Sequence, residues 1–290
     1  MYSAINILMT GGGAPGAPGI IKCLSQEANF TVIAVDANTN AAGRCLVKDF
    51  QVIPPAGDPA FIDTVLALCR EKNIHIVLPL VTKELIPLSQ HINEFELAGA
   101  KLLVSPVSSL EIANDKSRLY QFLQWRGMDV PDFHVVETIQ QFETAAGELG
   151  YPGKTICFKP SISNGSRGFR IISTTMDEHY LLFNEKPSST YISYTDAVRI
   201  LSSKPFPELL VSEYLPGEEY SVDCLANHGK TIITVPRLRK KMINGISVEG
   251  AFIKDESITS YCTQIIHELQ LHGNIGIQVK RVGCRKIFDT

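Results

Sequence analysis

Over the first hundred residues, short continuous apolar runs alternate with stretches of helical period. Residues 5–9 read as a strand, followed by a glycine-rich turn and a helix over 18–28. Residues 31–36 form the next strand, then come a helix over 59–72, a strand over 75–79, a helix over 82–96 and a strand over 101–104. Continuous apolar strands separated by helical segments predict a parallel, doubly wound sheet. This half is expected to end near residues 105–109.

The pattern then changes. Asn114-Asp115-Lys116 opens a helix reaching Arg126, with Leu119, Phe122 and Leu123 as its apolar stripe. Longer strands with alternating positions follow at 155–159, 169–173, 209–214, 220–226, 231–237, 275–280 and 286–289, with hairpin turns read at 227–230 and 282–284. The second half is therefore α+β with a mostly antiparallel sheet. The Ser/Thr-rich segment 186–203 reads as a mobile excursion.

At 290 residues the chain suggests about two domains and needs no covalent staples to bury a core. A hydrophobic fraction of 44% and a charged fraction of 20% exclude a disordered or fibrous chain. A net charge of -3 argues against a dedicated nucleic-acid binder. Residues 1–21 carry no charged side chain, but Gly11, Gly12, Gly13, Gly16, Gly19, Pro15 and Pro18 make a membrane span a poor reading, and no basic segment marks a signal peptide. The seven scattered cysteines, never spaced C-x-x-C, read as buried thiols in a reducing cytoplasm.

Five stretches carry candidate chemistry. Gly11-x-Gly13-x-x-Gly16 sits between a strand and a helix, with Asp36 twenty residues on. That is a dinucleotide-binding spacing, equally readable as a tight strand-to-helix turn, and Pro15 and Pro18 remove N–H groups a phosphate would want. At 158–168, a strand ending in Lys159 runs into a polar loop with two glycines, suited to folding over phosphate oxygens or to being an ordinary hairpin. At 213–223, several acids crowd a Pro-Gly turn, either a surface turn or a set of acceptors for a purine amino group and ribose hydroxyls. A period of two puts Arg237, Arg239 and Lys241 on one strand face, solvated or oxyanion-binding. Gln278 and Asp289 lie on successive strands and would supply oxygen ligands to Mg2+, or are two unrelated polar residues. His267 and His272 imitate a zinc helix, but five helical steps set them about 140° apart.

Together and in order, these pieces resemble the ATP-grasp superfamily, most closely its carbamoyl-phosphate-synthase-like and pyrrolysine-pathway-ligase-like branch. The most specific parts are F-K-P-S-x-x-x-G-x-x-G at 158–168 and E-Y-L-P-G-E-E-Y-S-V-D at 213–223. The resemblance implies an α/β chain. A Rossmann-like domain at 1–108 that does not use its glycine turn for a dinucleotide would precede an ATP-grasp domain at 109–290. That domain would divide into a lid subdomain near 118–212 and a C-terminal subdomain at 213–290.

Carried over by position, Lys116 and Lys159 match the basic contacts to ATP phosphates, and Ser161, Gly165, Ser166 and Gly168 the loop over the triphosphate. Glu213, Tyr214 and Leu215 match the adenine hinge, Glu219 the ribose carboxylate, Gln278 and Asp289 the Mg2+ (or Mn2+) ligands, and Arg237 and Arg239 the catalytic cations near the transferred phosphoryl group. Asp289 is one methylene shorter than the glutamate usual there, and the family pattern continues with an asparagine ligand and a final helix, whereas this sequence ends at Thr290. A ligand set cut short is therefore expected.

The implied activity is ATP- and Mg-dependent ligation of a carboxylate, or bicarbonate, with an amine or ammonia through an acyl phosphate. The alternatives are a catalytically impaired ATP-binding module and an NAD-binding oxidoreductase. Expected partners are small-molecule substrates, with no nucleic acid or membrane and with homodimerisation at the family level, in a cytoplasmic setting.

Overall fold

A computed structural model describes residues 4–163, 167–184, 190–243, 246–282 and 285–288. It clusters into two units, Met1–Glu111 with Leu225–Ile232 and Ile266–Ile275, and Ile112–Cys224 with Ile233–Ile265 and Gly276–Thr290.

The first unit is built on β1 (Ile5–Thr10), α1 (Ala17–Leu24), β2 (Phe30–Asp36), β3 (Asp49–Val52), α2 (Phe61–Glu71), β4 (Ile76–Leu78), α3 (Thr82–Gln90), α4 (Ile92–Leu97), β5 (Lys101–Leu102) and α5 (Val107–Ala113). Its strands pair in parallel in the order β3-β2-β1-β4-β5. The continuous apolar runs are explained by burial on both faces. Leu8, Ile33 and Val35 join one core cluster, while Met9, Val32 and Ala34 join the cluster on the opposite face. On α2, the buried Phe61, Val65, Leu68 and Cys69 form the stripe facing the first cluster.

The single helix expected over 82–96 is two. His91 Nδ1 lies 2.8 Å from the Pro87 carbonyl oxygen, and the His91 N–H turns to the Leu88 carbonyl, so the ladder stops there. Short β3, with only Phe50 and Val52 as apolar residues, gave no periodic signal.

Two further sheets lie wholly or mostly in the second unit. One is antiparallel, in the order β6-β9-β7-β8, built from β6 (Phe133–Val136), β7 (Ile156–Pro160), β8 (Arg170–Ile172) and β9 (Leu209–Glu213). It packs against α7 (Ile139–Glu148) and α9 (Tyr194–Leu201), with Phe142, Ala146, Ile156, Phe158, Ala197 and Val211 at the centre of the core. The helix α6 (Lys116–Trp125) leads into it, capped by Asp115, whose side chain accepts from the Ser117 and Arg118 N–H groups. The segment read as a mobile excursion holds α9, capped by Ser193 and anchored by Ala197; α8 (Glu178–Asn184) precedes it.

The other sheet runs β12-β11-β10-β13-β14, from β10 (Glu218–Asn227), β11 (Lys230–Ile243), β12 (Ile246–Phe252), β13 (Gly273–Val282) and β14 (Arg285–Phe288), with α10 (Glu256–Glu268) between β12 and β13. Its β10–β11 turn is the expected hairpin: His228 and Gly229 take φ of 45° and 78°, as a two-residue hairpin turn demands. The 282–284 turn falls partly outside the described residues.

Of the described cysteines, Cys69, Cys157, Cys224 and Cys262 are buried, but Cys23 and Cys45 are exposed, which corrects the expectation of uniformly buried thiols. Cys23 follows Lys22 on the outer side of α1, and Cys45 ends a surface 3-10 turn. Among the described residues no helix is long and apolar enough to cross a membrane.

Candidate functional site

Strand alternation decides what the second unit presents. On β7, Ile156 and Phe158 enter the core, so Cys157 and Lys159 project to the other face. On β9, Leu209 and Val211 enter the same core, and Ser212 pairs opposite Cys157 with its Oγ 3.4 Å from the thiol sulfur. These outward side chains back a cleft lined also by Tyr120, Pro131, Phe169, Glu213, Tyr214, Leu215 and Lys280. Lys159 is 5% exposed, and its ammonium lies 5.4 Å from the centre of the Tyr120 ring. The buried Lys159 thus lines a cleft whose walls also include Ser212, Glu213 and Lys280.

The hinge after β9 is held by backbone pairing. The Glu213 N–H donates to the Asp132 carbonyl, Glu213 Oε1 accepts from the Asp132 N–H at 3.1 Å, and the Tyr214 N–H donates to the Thr155 carbonyl. Gly217 then passes so close to the Arg281 carbonyl oxygen that any side chain would overlap it. Lys280 was missed from the sequence, where it is one of two adjacent cations, with Arg281, near the end of a strand. Its Nζ lies 3.4 Å from the Leu215 carbonyl oxygen and 5.1 Å from the Tyr214 ring centre.

Four of the predicted residues, Lys159, Glu213, Tyr214 and Leu215, thus meet in one cleft, and the others stand around it differently. Lys116 is buried; its Nζ donates to the Ser163 carbonyl at 2.8 Å and its backbone N–H to the Ser161 carbonyl. Ser161 is buried against the Ser117 hydroxyl. Gly168, at φ 82°, packs on Pro160, whose Cδ would be 2.6 Å from an added Cβ. Gly165 and Ser166 lie outside the described residues.

Glu219 does not line the cleft: its carboxylate pairs with Arg239, whose side chain is 5% exposed. Arg237 lies 3.9 Å from the Asp223 carboxylate. The single basic face expected from Arg237 to Lys241 is corrected by a bulge. Arg239 pairs with Gly250 and Lys241 with the adjacent Glu249, so Lys240 is extra and Lys241 turns to the opposite face.

Gln278 is half-buried on the same face of β13 as Lys280, while Asp289 lies outside the described residues. Among the described residues no group of three or more His, Cys, Asp or Glu side chains is placed to hold a metal ion.

In the first unit, the glycine turn closes on itself. Asp36 accepts from the Gly13 N–H and the Asn38 N–H, both at 2.7 Å, so both carboxylate oxygens are already engaged. Nearby, Thr10 donates to the buried Glu84, whose pKa is pushed up to about 7, first by burial and then, after the opposing effect of the Thr10 bond, by the Asp36 charge. His267 ends α10, and His272 lies beyond it, stacked on His228 with ring centres 4.1 Å apart, so the two do not form a helical metal pair.

The cleft and its surroundings can be set beside proteins of known family. Residues 205–285 match the family described as "ATP-grasp in the biosynthetic pathway with Ter operon", and residues 7–103 match "PylC-like, N-terminal domain". Each match covers less than half of the chain, and what they show is a likeness to these two families over those residues. Over 173 residues it is 28% identical to the arginine-specific large chain of carbamoyl phosphate synthase from Halalkalibacterium halodurans, covering 59% of this chain and 14% of that one. The Bacillus subtilis counterpart is 25% identical over 138 residues, 48% of this chain and 12% of that one. The chain thus spans about a seventh of the length of the first of these.

Among solved structures, an ADP complex of N5-carboxyaminoimidazole ribonucleotide synthetase superposes with a TM-score of 0.70 at 14% identity, covering 100% of this chain and 70% of that one. The biotin carboxylase domain of Hydrogenobacter thermophilus 2-oxoglutarate carboxylase, solved with MgADP and bicarbonate, gives 0.67 at 15% identity, covering 99% and 63%. At these identities the structures share the fold.

Proposed function

We propose that the chain is an ATP-dependent ligase that activates a carboxylate, or bicarbonate, as an acyl phosphate for attack by an amine or ammonia. The observation that carries this reading is the cleft joining the buried Lys159 ammonium to the 213–215 hinge. A charged, nearly dry lysine at one wall and a backbone-rimmed hinge at another suit a nucleotide whose base sits at the hinge and whose phosphates run toward Lys159.

In this reading a carboxylate oxygen forms a bond to the γ-phosphorus as the bond to ADP breaks. The amine nitrogen then bonds to the acyl carbon, and phosphate leaves with its oxygen while the amine loses a proton. Lys159 and the loop it leads into bind and orient the phosphates, and Arg237 and Arg239 are the cations proposed for the transferring group, with Glu219 holding Arg239 in place. Gln278, with Asp289, would hold Mg2+, which supplies charge neutralisation to the phosphates when bound. No nucleophilic serine or cysteine is required, since such a transfer depends on positioning and charge. The closed Asp36 turn speaks against the dinucleotide alternative.

The test is thermal unfolding with Mg-ATP, Mg-ADP and NAD in parallel, followed by an ADP-release screen over carboxylates and amines. A ligand at a hundred times its Kd stabilises by about 2.7 kcal/mol, a shift of a few degrees for a chain of this size. A shift with adenine nucleotides and none with NAD is expected; a shift with NAD alone overturns the reading.

A further inference from the structure

Two lysines reach the cleft, and the function proposed above uses only one of them. On β13, Ile277 and Val279 are buried in the core at 2% and 1% exposure, so alternation sends Gln278 and Lys280 to the opposite face. Lys280 there lines the cleft, with its ammonium over the Tyr214 ring and beside the Leu215 carbonyl. Lys159 stands on a different strand, near Tyr120, where β7 runs out toward the glycine loop. The two charges therefore mark two parts of one cleft: Lys159 the end that leads into the loop, Lys280 the hinge.

We propose that Lys280 is a nucleotide-binding residue at the hinge, contacting the base and ribose rather than the phosphates. A hinge offers backbone carbonyls as acceptors, whereas an ammonium with three N–H groups adds donors beside them. One of these donors faces the Leu215 carbonyl, and the others suit ring nitrogens or ribose hydroxyl oxygens. The Tyr214 ring lies against the ammonium, so the charge is stabilised in place and its position is fixed in advance of binding. A hydrogen bond from a charged donor in a partly dry cleft is the kind whose loss is felt most.

This inference rests on the nucleotide reading of the cleft, and the experiment separates the two. Affinities of adenosine and Mg-ADP are measured by ligand-observed NMR and calorimetry for the wild type, Lys280→Met and Lys159→Met, with the melting point of each free protein as the folding control. Methionine keeps the stem over Tyr214 and removes the charge. Lys280→Met is expected to weaken adenosine and Mg-ADP by the same factor, about tenfold. Lys159→Met is expected to weaken Mg-ADP and leave adenosine unchanged.

Unchanged adenosine affinity in Lys280→Met overturns the inference while leaving the nucleotide reading intact. So does a lower melting point of that variant with both affinities unchanged, since that is the mark of a brace for the hinge carbonyl. Failure of the wild type to bind Mg-ADP overturns the nucleotide reading itself, and the role of Lys280 falls with it.

Discussion

Glu84 is a buried carboxyl that ties the stability of the first unit to pH. Its pKa rises from the ordinary 4.5 to about 7, chiefly because burial disfavours the charged form. The folded protein therefore holds this proton more tightly than the unfolded chain does. The resulting stability is fully present below pH 4.5 and is lost as pH rises through about 7. A shift of this size corresponds to a loss on the order of 3 kcal/mol. Glu84→Gln keeps a partner for Thr10 and carries no titrating proton. Denaturant unfolding at pH 5 and pH 8 should show the wild type losing stability between the two while the variant stays nearly flat. Parallel curves would mean that Glu84 is ionised in the folded protein throughout.

At the scale of elements, two turns hold strands by leaving no room for a side chain. Gly229 takes φ 78°, and an added Cβ would lie 2.6 Å from the Gln270 amide nitrogen. Gly229→Ala should cost about 1–2 kcal/mol from the backbone conformation alone, read as a lower melting point. Gly217→Ala should do more harm, because its neighbour is the Arg281 main chain rather than the end of a flexible side chain. The 213–215 hinge should shift, and Mg-ADP should stabilise the variant less than the wild type; equal stabilisation would free the hinge from dependence on this turn.

The same elements show what the sequence could carry. The doubly wound half was legible because both faces of β1 and β2 are buried, leaving unbroken apolar runs. Asp115 announced α6 as its cap, and Lys159 with the 213–215 hinge was legible as a motif. By contrast, α7 went unread although Thr138 and Gln141 form a capping box at its start, a signal that was present but overlooked. The Arg239–Lys241 bulge was illegible for another reason. A slip in pairing depends on the partner strand, and no pattern within β11 records it. Lys280 was hidden likewise, since its meaning comes from Tyr214 and Leu215, distant in sequence.

For the whole molecule, the decisive contrast lies between two candidate nucleotide sites in different units. The first unit carries a glycine turn at the ends of a parallel sheet, where dinucleotides bind in other proteins. Here that turn is occupied by its own carboxylate, because Asp36 bonds both Gly13 and Asn38. The second unit carries the cleft with its two ammonium groups, the Glu213 carboxylate and the rings of Tyr120, Phe169 and Tyr214. Hydrogen exchange with and without Mg-ADP reads both units in one experiment, since slowed exchange reports where local opening has become costlier. Protection is expected in β7, in β9 and through the 213–215 hinge. The amides of residues 11–16 should exchange at unchanged rates, since the proposed nucleotide site is the cleft of the second unit. Protection of residues 11–16 without protection of β7 and β9 would move nucleotide binding to the first unit and leave Lys159 and Lys280 as structural cations.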